Sequence, residues 1–282
     1  MTETVQMHFM GERYYAVLSH PDDHIQRQMR AGAPYEAEML TDMATRLAGT
    51  NRTVIDVGAN IGNHSLALAA TGATVIAYEP NPDLVQPVSS ALSMNPFGDR
   101  VELRASGVGA RAGYGRIASF SATNIGSQTI AVDDVTGDFP VVALDSESFP
   151  GPITMIKIDV EGMEPDVIDG AKRLLAKHHP TLYVEAPTPE AYGRVARRLN
   201  PLGYAYGATF NATPTHRFTA HKLGRRGNEL SRGIDQMVAR LLESTEGADW
   251  LKTHPMDTNA EARAPVGDPS RSWSRLRAIL RR

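Results

Sequence analysis

The sequence has no cysteine among its 282 residues. That absence excludes disulfide bonds, thiolate catalysis and cysteine-based metal sites, and it is typical of proteins of the reducing cytosol. No apolar run approaches the roughly 20 residues of a membrane span. The first residues include Glu3 and Glu12 and lack the apolar stretch of a secretory signal. We therefore expect a cytoplasmic protein.

The sequence also has no large excess of positive or negative charge. The formal net charge is −3 and the isoelectric point is near 6.3. Such a surface has no general attraction for a phosphate backbone, so we expect no nucleic-acid partner. Apolar residues make up 41% of the chain, which is enough for a full hydrophobic core. The length fits one large α/β domain with additions, or two small domains.

The most informative segment is TVIDVGANIGN, residues 53–63. A run of strand-forming residues stops at Gly58, the turn formers Asn60 and Gly62 follow, and an apolar helix-like run comes next. Strand, turn and helix in this order place backbone N–H groups at the carboxyl edge of a parallel sheet, where open α/β folds bind nucleotide-like ligands. We expect Gly58 and Gly62 to permit close approach of the backbone and close packing of the helix.

The same turn indicates which ligand binds. A dinucleotide-binding loop has glycine where this chain has Asn60, because the backbone must approach a pyrophosphate. A side chain there favours a ligand with adenosine but no phosphate, such as S-adenosylmethionine (SAM). Glu79 ends the next strand-like run, where an acid can accept hydrogen bonds from both ribose hydroxyls.

Further cofactor contacts are predicted around this edge. Asp56 is expected to accept from the methionine ammonium or from loop N–H groups, unless it only caps the turn. Asn60 either contacts the methionine portion or satisfies a left-handed turn. Asn63, at the end of the turn, and Ser106, after the third strand, complete the set, with Ser106 beside adenine.

A second buried strand, ITMIKIDVEG at residues 153–162, delivers Asp159 and Glu161 to the same edge. Side chains two apart on a strand share one side, so the two acids are expected together, with Lys157 on their face. They could orient SAM, hold a divalent cation through oxygen ligands, or act as a base. The alternative for Glu161 is that it caps the helix that follows.

Three more titratable residues are candidates for the chemistry. Glu185 ends the neighbouring strand and is predicted to be a catalytic or supporting acid near Asp159. His216 follows a predicted loop at residues 210–214 and is an outside candidate for the base. His64 opens the helix after the Gly-rich turn, where it either faces the cleft or is solvated.

With these motifs in place, the chain resembles the FkbM-type SAM-dependent methyltransferases. The matching residues are Val54–Gly62, Tyr78-Glu79-Pro80, Ile156–Gly162, Glu164, Gly170-Ala171 and Pro180 to Glu185, with Leu144-Asp145 and the leader Pro34-Tyr35-Glu36. The resemblance covers residues 23–218. It implies an O-methyltransferase that acts on a hydroxyl or carboxyl of a saccharide or natural product.

Two other functions remain open. The first is an NAD(P)-dependent sugar oxidoreductase or epimerase, which Asn60 and the lack of a Tyr-x-x-x-Lys motif argue against. The second is a non-catalytic SAM-binding domain that docks a partner, which would predict damage to the turn or to Glu79.

Alternating strands and helices predict a Rossmann-like, doubly wound α/β sheet of the class I methyltransferase type, with an N-terminal helical extension and a C-terminal tail. Strands are predicted at residues 12–19, 53–58, 74–78, 101–105, 153–159, 181–185, 203–209 and 215–220. Helices are predicted at residues 22–30, 35–47, 63–71, 83–94, 164–177, 188–199 and 227–244.

These elements divide the chain into four parts. We expect an N-terminal strand and helical cap over residues 1–51, a SAM-binding core over 52–222, a C-terminal helix over 223–254, and a flexible linker with a basic amphipathic tail over 255–282. The tail carries Trp273 and five arginines. It is predicted to make a weak contact with a membrane, at its inner face, or with a protein, unless it is simply solvated.

A long connection over residues 107–151 interrupts the alternation of strands and helices. It is predicted to hold a small β excursion at residues 128–132 and 141–144. Its turn at residues 122–126 either lines the cleft or forms a surface hairpin.

Overall fold

A computed structural model describes residues 2–20, 22–49, 52–117, 130–133, 136–220 and 225–254. The strands are β1 (Glu3–Phe9), β2 (Glu12–Leu18), β3 (Thr53–Val57), β4 (Thr74–Tyr78), β5 (Val101–Arg104), β6 (Gly107–Val108), β7 (Gly113–Ile117), β8 (Ile130–Asp133), β9 (Phe139–Val142), β10 (Ile153–Ile158), β11 (Thr181–Glu185), β12 (Tyr204–Phe210) and β13 (Thr215–Ala220). The helices are α1 (His24–Met29), α2 (Ala37–Leu47), α3 (Asn63–Ala70), α4 (Pro82–Met94), α5 (Glu164–Asp169), α6 (Lys172–His178), α7 (Pro189–Leu199), α8 (Arg225–Leu241) and α9 (Thr245–Thr253).

A seven-stranded sheet forms the centre of the molecule, in the order β12-β13-β11-β10-β3-β4-β5. The five strands from β11 to β5 are parallel. β13 lies antiparallel between β11 and β12. The strand order reverses direction between β3 and β10, so the carboxyl ends of these two strands flank the crevice where such sheets bind ligands. The predicted α/β fold of the class I methyltransferase type is confirmed.

Two hydrophobic clusters cover the two faces of this sheet. Val54 and Val75 pack into the first cluster together with the β1–β2 hairpin, α2 and α3. Their neighbours Ile55 and Ile76 pack into the second cluster with α5 to α8. This alternation follows from the two-residue period of a strand, and it explains why β3 is buried along its whole length.

The connection between β5 and β10 holds a second, four-stranded sheet in the order β6-β9-β7-β8. The predicted β excursion is therefore confirmed, with β8 overlapping the predicted 128–132 and β9 lying two residues before the predicted 141–144. The predicted turn at residues 122–126 lies outside the described residues, as does the predicted tail at residues 255–282.

Some boundaries differ from the prediction for identifiable reasons. The helix predicted over residues 164–177 is divided into α5 and α6 at Gly170, where a side chain would meet the carbonyl oxygen of Gly109 at 2.1 Å. The C-terminal helix predicted over residues 223–254 consists of two helices, α8 and α9. β1 was also not predicted. Within the described ranges, none of the helices is long and apolar enough to cross a membrane.

Candidate functional site

The Gly-rich turn after β3 sits on top of its neighbouring strands. The N–H groups of Gly58 and Ala59 both donate to the carbonyl oxygen of Tyr78, at 3.0 Å each. Gly58 has φ +79°, and a Cβ there would lie 1.9 Å from the carbonyl oxygen of Asp159. The close approach predicted for Gly58 therefore exists, and it is made to the backbone of the residue after β10.

Asn60 and Gly62 complete the turn in left-handed conformations. Asn60 has φ 54°, and its side-chain oxygen accepts from the N–H of Ile61 at 2.8 Å. A Cβ on Gly62 would press on Val88 of α4 at 3.2 Å. Gly62 thus allows α3 and α4 to pack closely, as predicted, and Asn60 satisfies the left-handed turn. Contact between Asn60 and a methionine portion stays a prediction.

Glu79 holds this turn from the adjacent strand. One carboxylate oxygen accepts from the N–H of Asn60 at 2.8 Å, and the other accepts from Asn81 at 2.9 Å. Burial raises the pKa of Glu79 to about 7, against the opposing effects of these N–H donors and of Lys157. A carboxylate offers about four lone-pair positions. Glu79 can therefore still accept from a ribose while it orders the turn.

Lys157 of β10 lies beneath the turn and is almost completely buried. Its Nζ donates to the carbonyl oxygen of Gly58 at 2.8 Å, and it lies 3.3 Å from Asp56 and 3.4 Å from Asp159. Burial lowers the pKa of Lys157, but the two carboxylates outweigh that effect and raise it above its ordinary value. The ammonium group therefore stays charged and joins β3, β10 and the turn.

Asp56 is completely buried below the turn. Its carboxylate accepts from the hydroxyl of Ser65 at 2.7 Å and pairs with Lys157. The loop N–H groups predicted as its partners donate elsewhere, and its contact with the methionine ammonium stays a prediction. Asp56 supports the turn from inside because β3 ends one residue later and leaves its side chain under α3.

Asp159, Glu161 and Glu185, which we call the acidic cluster, meet where β10 and β11 end. One carboxylate oxygen from each lies within 4.8 Å of the others. Burial, Asp159 and Glu164 raise the pKa of Glu161 to about 7. Burial together with Asp159 and Glu161 raises the pKa of Glu185 well above its ordinary value. The cluster therefore retains a proton near neutral pH.

Glu164, which the sequence reasoning did not assign, fixes the turn that presents Glu161. Its carboxylate accepts from the N–H groups of Val160 at 3.1 Å and Gly162 at 3.0 Å. The alternative in which Glu161 caps the following helix is therefore wrong, since Glu164 supplies these acceptor oxygens. Glu161 itself has φ 53°, and its carboxylate stays with the acidic cluster. The signal for this arrangement was the E-G-x-E spacing.

A cleft opens beside Glu79 and the acidic cluster. Ser106, predicted beside adenine, lines it, and Ile117 of β7 contributes an apolar wall that the sequence reasoning missed. The remaining lining residues are Val57, Gly58, Tyr78, Glu79, Pro80, Leu84, Gly107, Val108, Asp159, Val160 and Glu161.

Asn63 lies at the end of the turn, where its side chain contacts the N-terminal segment. The amide of Asn63 accepts from the N–H of Tyr35 and donates to its carbonyl oxygen, both at 2.9 Å. Contact between Asn63 and a cofactor stays a prediction.

His216 is completely buried among Tyr192, Tyr206 and Phe218. Its Nε2 lies 3.0 Å from the carbonyl oxygen of Ala186 and must donate to it, so Nδ1 accepts from Thr209 at 2.9 Å. Burial lowers the pKa of His216 to about 4. The role of base predicted for His216 is therefore corrected, because neither ring nitrogen can reach an acceptor substrate.

Comparison with known proteins identifies one matching family. Residues 56–206, just over half of the chain, match the family described as the methyltransferase FkbM domain. The matched range includes the Gly-rich turn, Glu79 and the acidic cluster. No curated protein matches the sequence.

Several solved structures are similar to this chain. One is an FkbM methyltransferase from Methylobacillus flagellatus KT, with 20% identity, a TM-score of 0.41 and coverage of 60% of this chain and 43% of that one. Another is a precorrin-6y C5,15-methyltransferase from Geobacter metallireducens GS-15, with 18% identity, a TM-score of 0.43 and coverage of 66% of this chain and 89% of that one. A third is a magnesium protoporphyrin IX methyltransferase from Synechocystis PCC 6803 with bound SAM, with 14% identity, a TM-score of 0.44 and coverage of 71% of this chain and 85% of that one. The chain thus spans less than half the length of the Methylobacillus protein.

Proposed function

The chain belongs to the FkbM methyltransferase family, and from that premise we propose that it is a SAM-dependent O-methyltransferase whose acceptor is a hydroxyl group of a saccharide or natural product. The acidic cluster beside the cleft is the observation that supports hydroxyl chemistry. A neutral hydroxyl must lose a proton as it attacks a methyl group, so a proton acceptor must lie near it. A carboxyl acceptor is already ionised and needs none.

The residues along the cleft fit SAM from one end to the other. Glu79 offers acceptor oxygens for the ribose, Ser106 and Ile117 border the space for adenine, and Asp159 lies at the opposite end. SAM, when bound, supplies a methyl group activated by its sulfonium. The protein's contribution is to hold the acceptor oxygen in line with that methyl group, and proximity of this kind can contribute up to about 7–11 kcal/mol.

The acidic cluster is suited to receive the proton of the hydroxyl. With a pKa of about 7, Glu161 exchanges its proton near neutral pH, where a general base is most effective. Glu185 stays protonated and can donate a hydrogen bond to Asp159, which holds the pair together. We propose Glu161 as the base, with Asp159 and Glu185 as the acids that tune it.

The oxygen atoms of the acidic cluster also fit a divalent cation such as Mg²⁺, which prefers carboxylate ligands. Under the base mechanism methyl transfer persists in excess EDTA, and Glu161→Gln abolishes it. Loss of activity in EDTA that is restored by Mg²⁺ would assign the cluster to a metal ion instead.

Calorimetric titration tests the cofactor. We expect SAM and S-adenosylhomocysteine (SAH) to bind and NAD not to bind, which would also exclude the oxidoreductase alternative. Glu79→Ala removes charge-assisted hydrogen bonds of about 1.5–3 kcal/mol each, so SAH affinity should fall at least about tenfold. Glu12→Ala, which changes an exposed glutamate of β2, is the matched control. Unchanged affinity in folded Glu79→Ala would refute the ribose assignment.

A further inference from the structure

The segment Pro34–Glu36 between α1 and α2, which we call the strap, is bound to the beginning of α3. Both amide atoms of Asn63 hydrogen-bond the backbone of Tyr35. The next residue, His64, brings Nε2 to 3.1 Å from the carboxylate of Glu36. Asn63 therefore holds the strap by hydrogen bonds, and His64 lies against the next strap residue without a hydrogen bond of regular geometry.

The side chain of Glu36 does not cap the helix that it precedes. It occupies the N-cap position of α2, yet its side chain makes no capping hydrogen bond. Its backbone is left-handed, with φ 58° and ψ 39°, which is unfavourable for a residue that has a Cβ. Its carboxylate turns to His64 instead, and the two side chains are only 11% and 7% exposed. Stabilising α2 therefore does not explain this residue.

The strap lies on the side of the cleft where β10 and β11 end. The carboxylate of Glu36 is close enough to Lys157 to act on its charge. Burial, Glu36, Asp159 and Glu185 together raise the pKa of Tyr35 to about 12. Glu79 and Ser106 lie on the opposite side, beyond β3. Together with the hydrogen bonds from Asn63, these interactions place the strap beside the carboxyl ends of β10 and β11, across β3 from Glu79 and Ser106.

We propose that Glu36 is a further cofactor-binding residue, which accepts a hydrogen bond from the α-ammonium group of the amino-acid end of SAM or SAH while His64 positions its carboxylate. This inference rests on the proposed function. An ammonium group requires an acceptor with negative charge, and Asp56 is enclosed with Ser65 and Lys157 below the turn. Glu36 therefore adds a carboxylate to those of the acidic cluster on this side of β3.

Two ligands separate this role from general damage to the site. SAH carries the amino-acid end, whereas 5′-methylthioadenosine keeps adenosine and the thioether without it. We expect Glu36→Gln to weaken SAH at least about tenfold, which corresponds to about 1.4 kcal/mol, and to change methylthioadenosine affinity less than twofold. Glu79→Gln should weaken both ligands. Glu38→Gln, which changes an exposed glutamate in the first turn of α2, should weaken neither.

The outcomes are distinguishable by titration calorimetry. If the wild-type protein binds neither ligand, the proposed function itself fails. If it binds both, an unchanged SAH affinity in Glu36→Gln, or equal losses for the two ligands, overturns the role of Glu36. Should Glu36→Gln not fold, Glu36→Asp keeps the charge on a shorter side chain, and its ratio of SAH affinity to methylthioadenosine affinity must fall below the wild-type ratio. An unchanged ratio overturns the inference equally.

Discussion

Two groups of titratable side chains lie at or beside β11, and the pKa values of their acids are shifted in opposite directions. The first, which we call the ion network, consists of Asp42, Tyr183 and Arg217. Arg217 donates to both oxygens of Asp42 at 2.8 and 2.7 Å, and the hydroxyl of Tyr183 donates at 2.5 Å. Burial raises the pKa of Asp42, but Tyr183 and Arg217 outweigh it and lower the pKa below its ordinary value.

The acidic cluster begins only two residues farther along β11, at Glu185, and receives no such compensation. The cation beside it, Lys157, also serves Asp56 and the carbonyl oxygen of Gly58. The pKa values of Glu161 and Glu185 rise as a result. The fold thus pairs Asp42 with a buried arginine, whereas the three acids of the acidic cluster lie close together and share one lysine with Asp56. This contrast favours a role in stability for the ion network and a role in the reaction for the acidic cluster.

Removing the arginine of the ion network should give the largest effect. Arg217→Met keeps the apolar stem but removes the buried cation from Asp42 and Tyr183, which leaves only the exposed Arg46 beside Asp42. Breaking a buried ion pair costs about 3–5 kcal/mol. We expect about 3 kcal/mol here, because the side chain of Asp42 keeps 23% of its exposure to water. Urea denaturation measures the change in the free energy of unfolding.

Arg46→Met is the matched control for that variant. Arg46 also bonds Asp42, but its side chain is 38% exposed, and surface pairs contribute at most about 1 kcal/mol. SAH affinity should stay unchanged in both variants at temperatures where they are folded. Equal destabilisation by the two substitutions would contradict the assignment of the ion network to stability.

Neutralising Glu185 should raise the free energy of unfolding, whereas removing Arg217 lowers it. Its pKa in the folded protein is above its unfolded value, so its contribution to stability is present at low pH and is lost as the pH rises toward the folded pKa. Glu185→Gln mimics the protonated acid and avoids that loss. We expect the variant to be more stable than wild type at pH 8 by at least about 1.4 kcal/mol, the equivalent of one pKa unit.

The pH dependence identifies the cause of this stabilisation. At pH 4 Glu185 is mostly protonated in the unfolded chain as well, so variant and wild type should differ by less than about 0.5 kcal/mol. Glu190→Gln, which changes an exposed glutamate of α7, should show no dependence on pH. A stabilisation of equal size at pH 4 and pH 8, or a destabilisation at pH 8, would show that Glu185 is not under charge strain.

Much of the fold could be predicted because β3, β4, β10 and β11 are buried on both faces and therefore read as continuous apolar runs. β1 was missed although Val5, Met7 and Phe9 alternate, because its other side chains are exposed and polar. The placement of β13 between β11 and β12 could not be predicted, since it depends on pairing between distant residues such as Leu182 and Phe218.

The site shows the same limit. Positions set by strand ends, such as Glu79, Ser106 and Asp159, lie at the cleft where the sequence placed them. Their contacts with the cofactor stay predictions. The contacts that could not be predicted are those with partners far along the chain. Asn63 binds Tyr35, and His216 is enclosed by Tyr192 of α7, and a local pattern contains no information about either contact.

Asp159 provides the finest test of the contrast, because it acts on the charge of Glu185 without being needed for packing. Asp159→Asn preserves volume and leaves Lys157 bound to Asp56 and Gly58, so stability at pH 7 should change by less than about 0.5 kcal/mol. Since Asp159 is the main charge that raises the pKa of Glu185, this pKa should fall by at least about one unit. Carboxyl ¹³C NMR of glutamate-labelled protein measures this pKa, with Glu185→Gln identifying the resonance.

Asp166→Asn, which changes an exposed aspartate of α5, is the control and should leave the pKa of Glu185 unchanged. A Glu185 midpoint that does not respond to Asp159→Asn would mean that burial alone raises it, and the acidic cluster would then be three separate acids rather than one proton-sharing group.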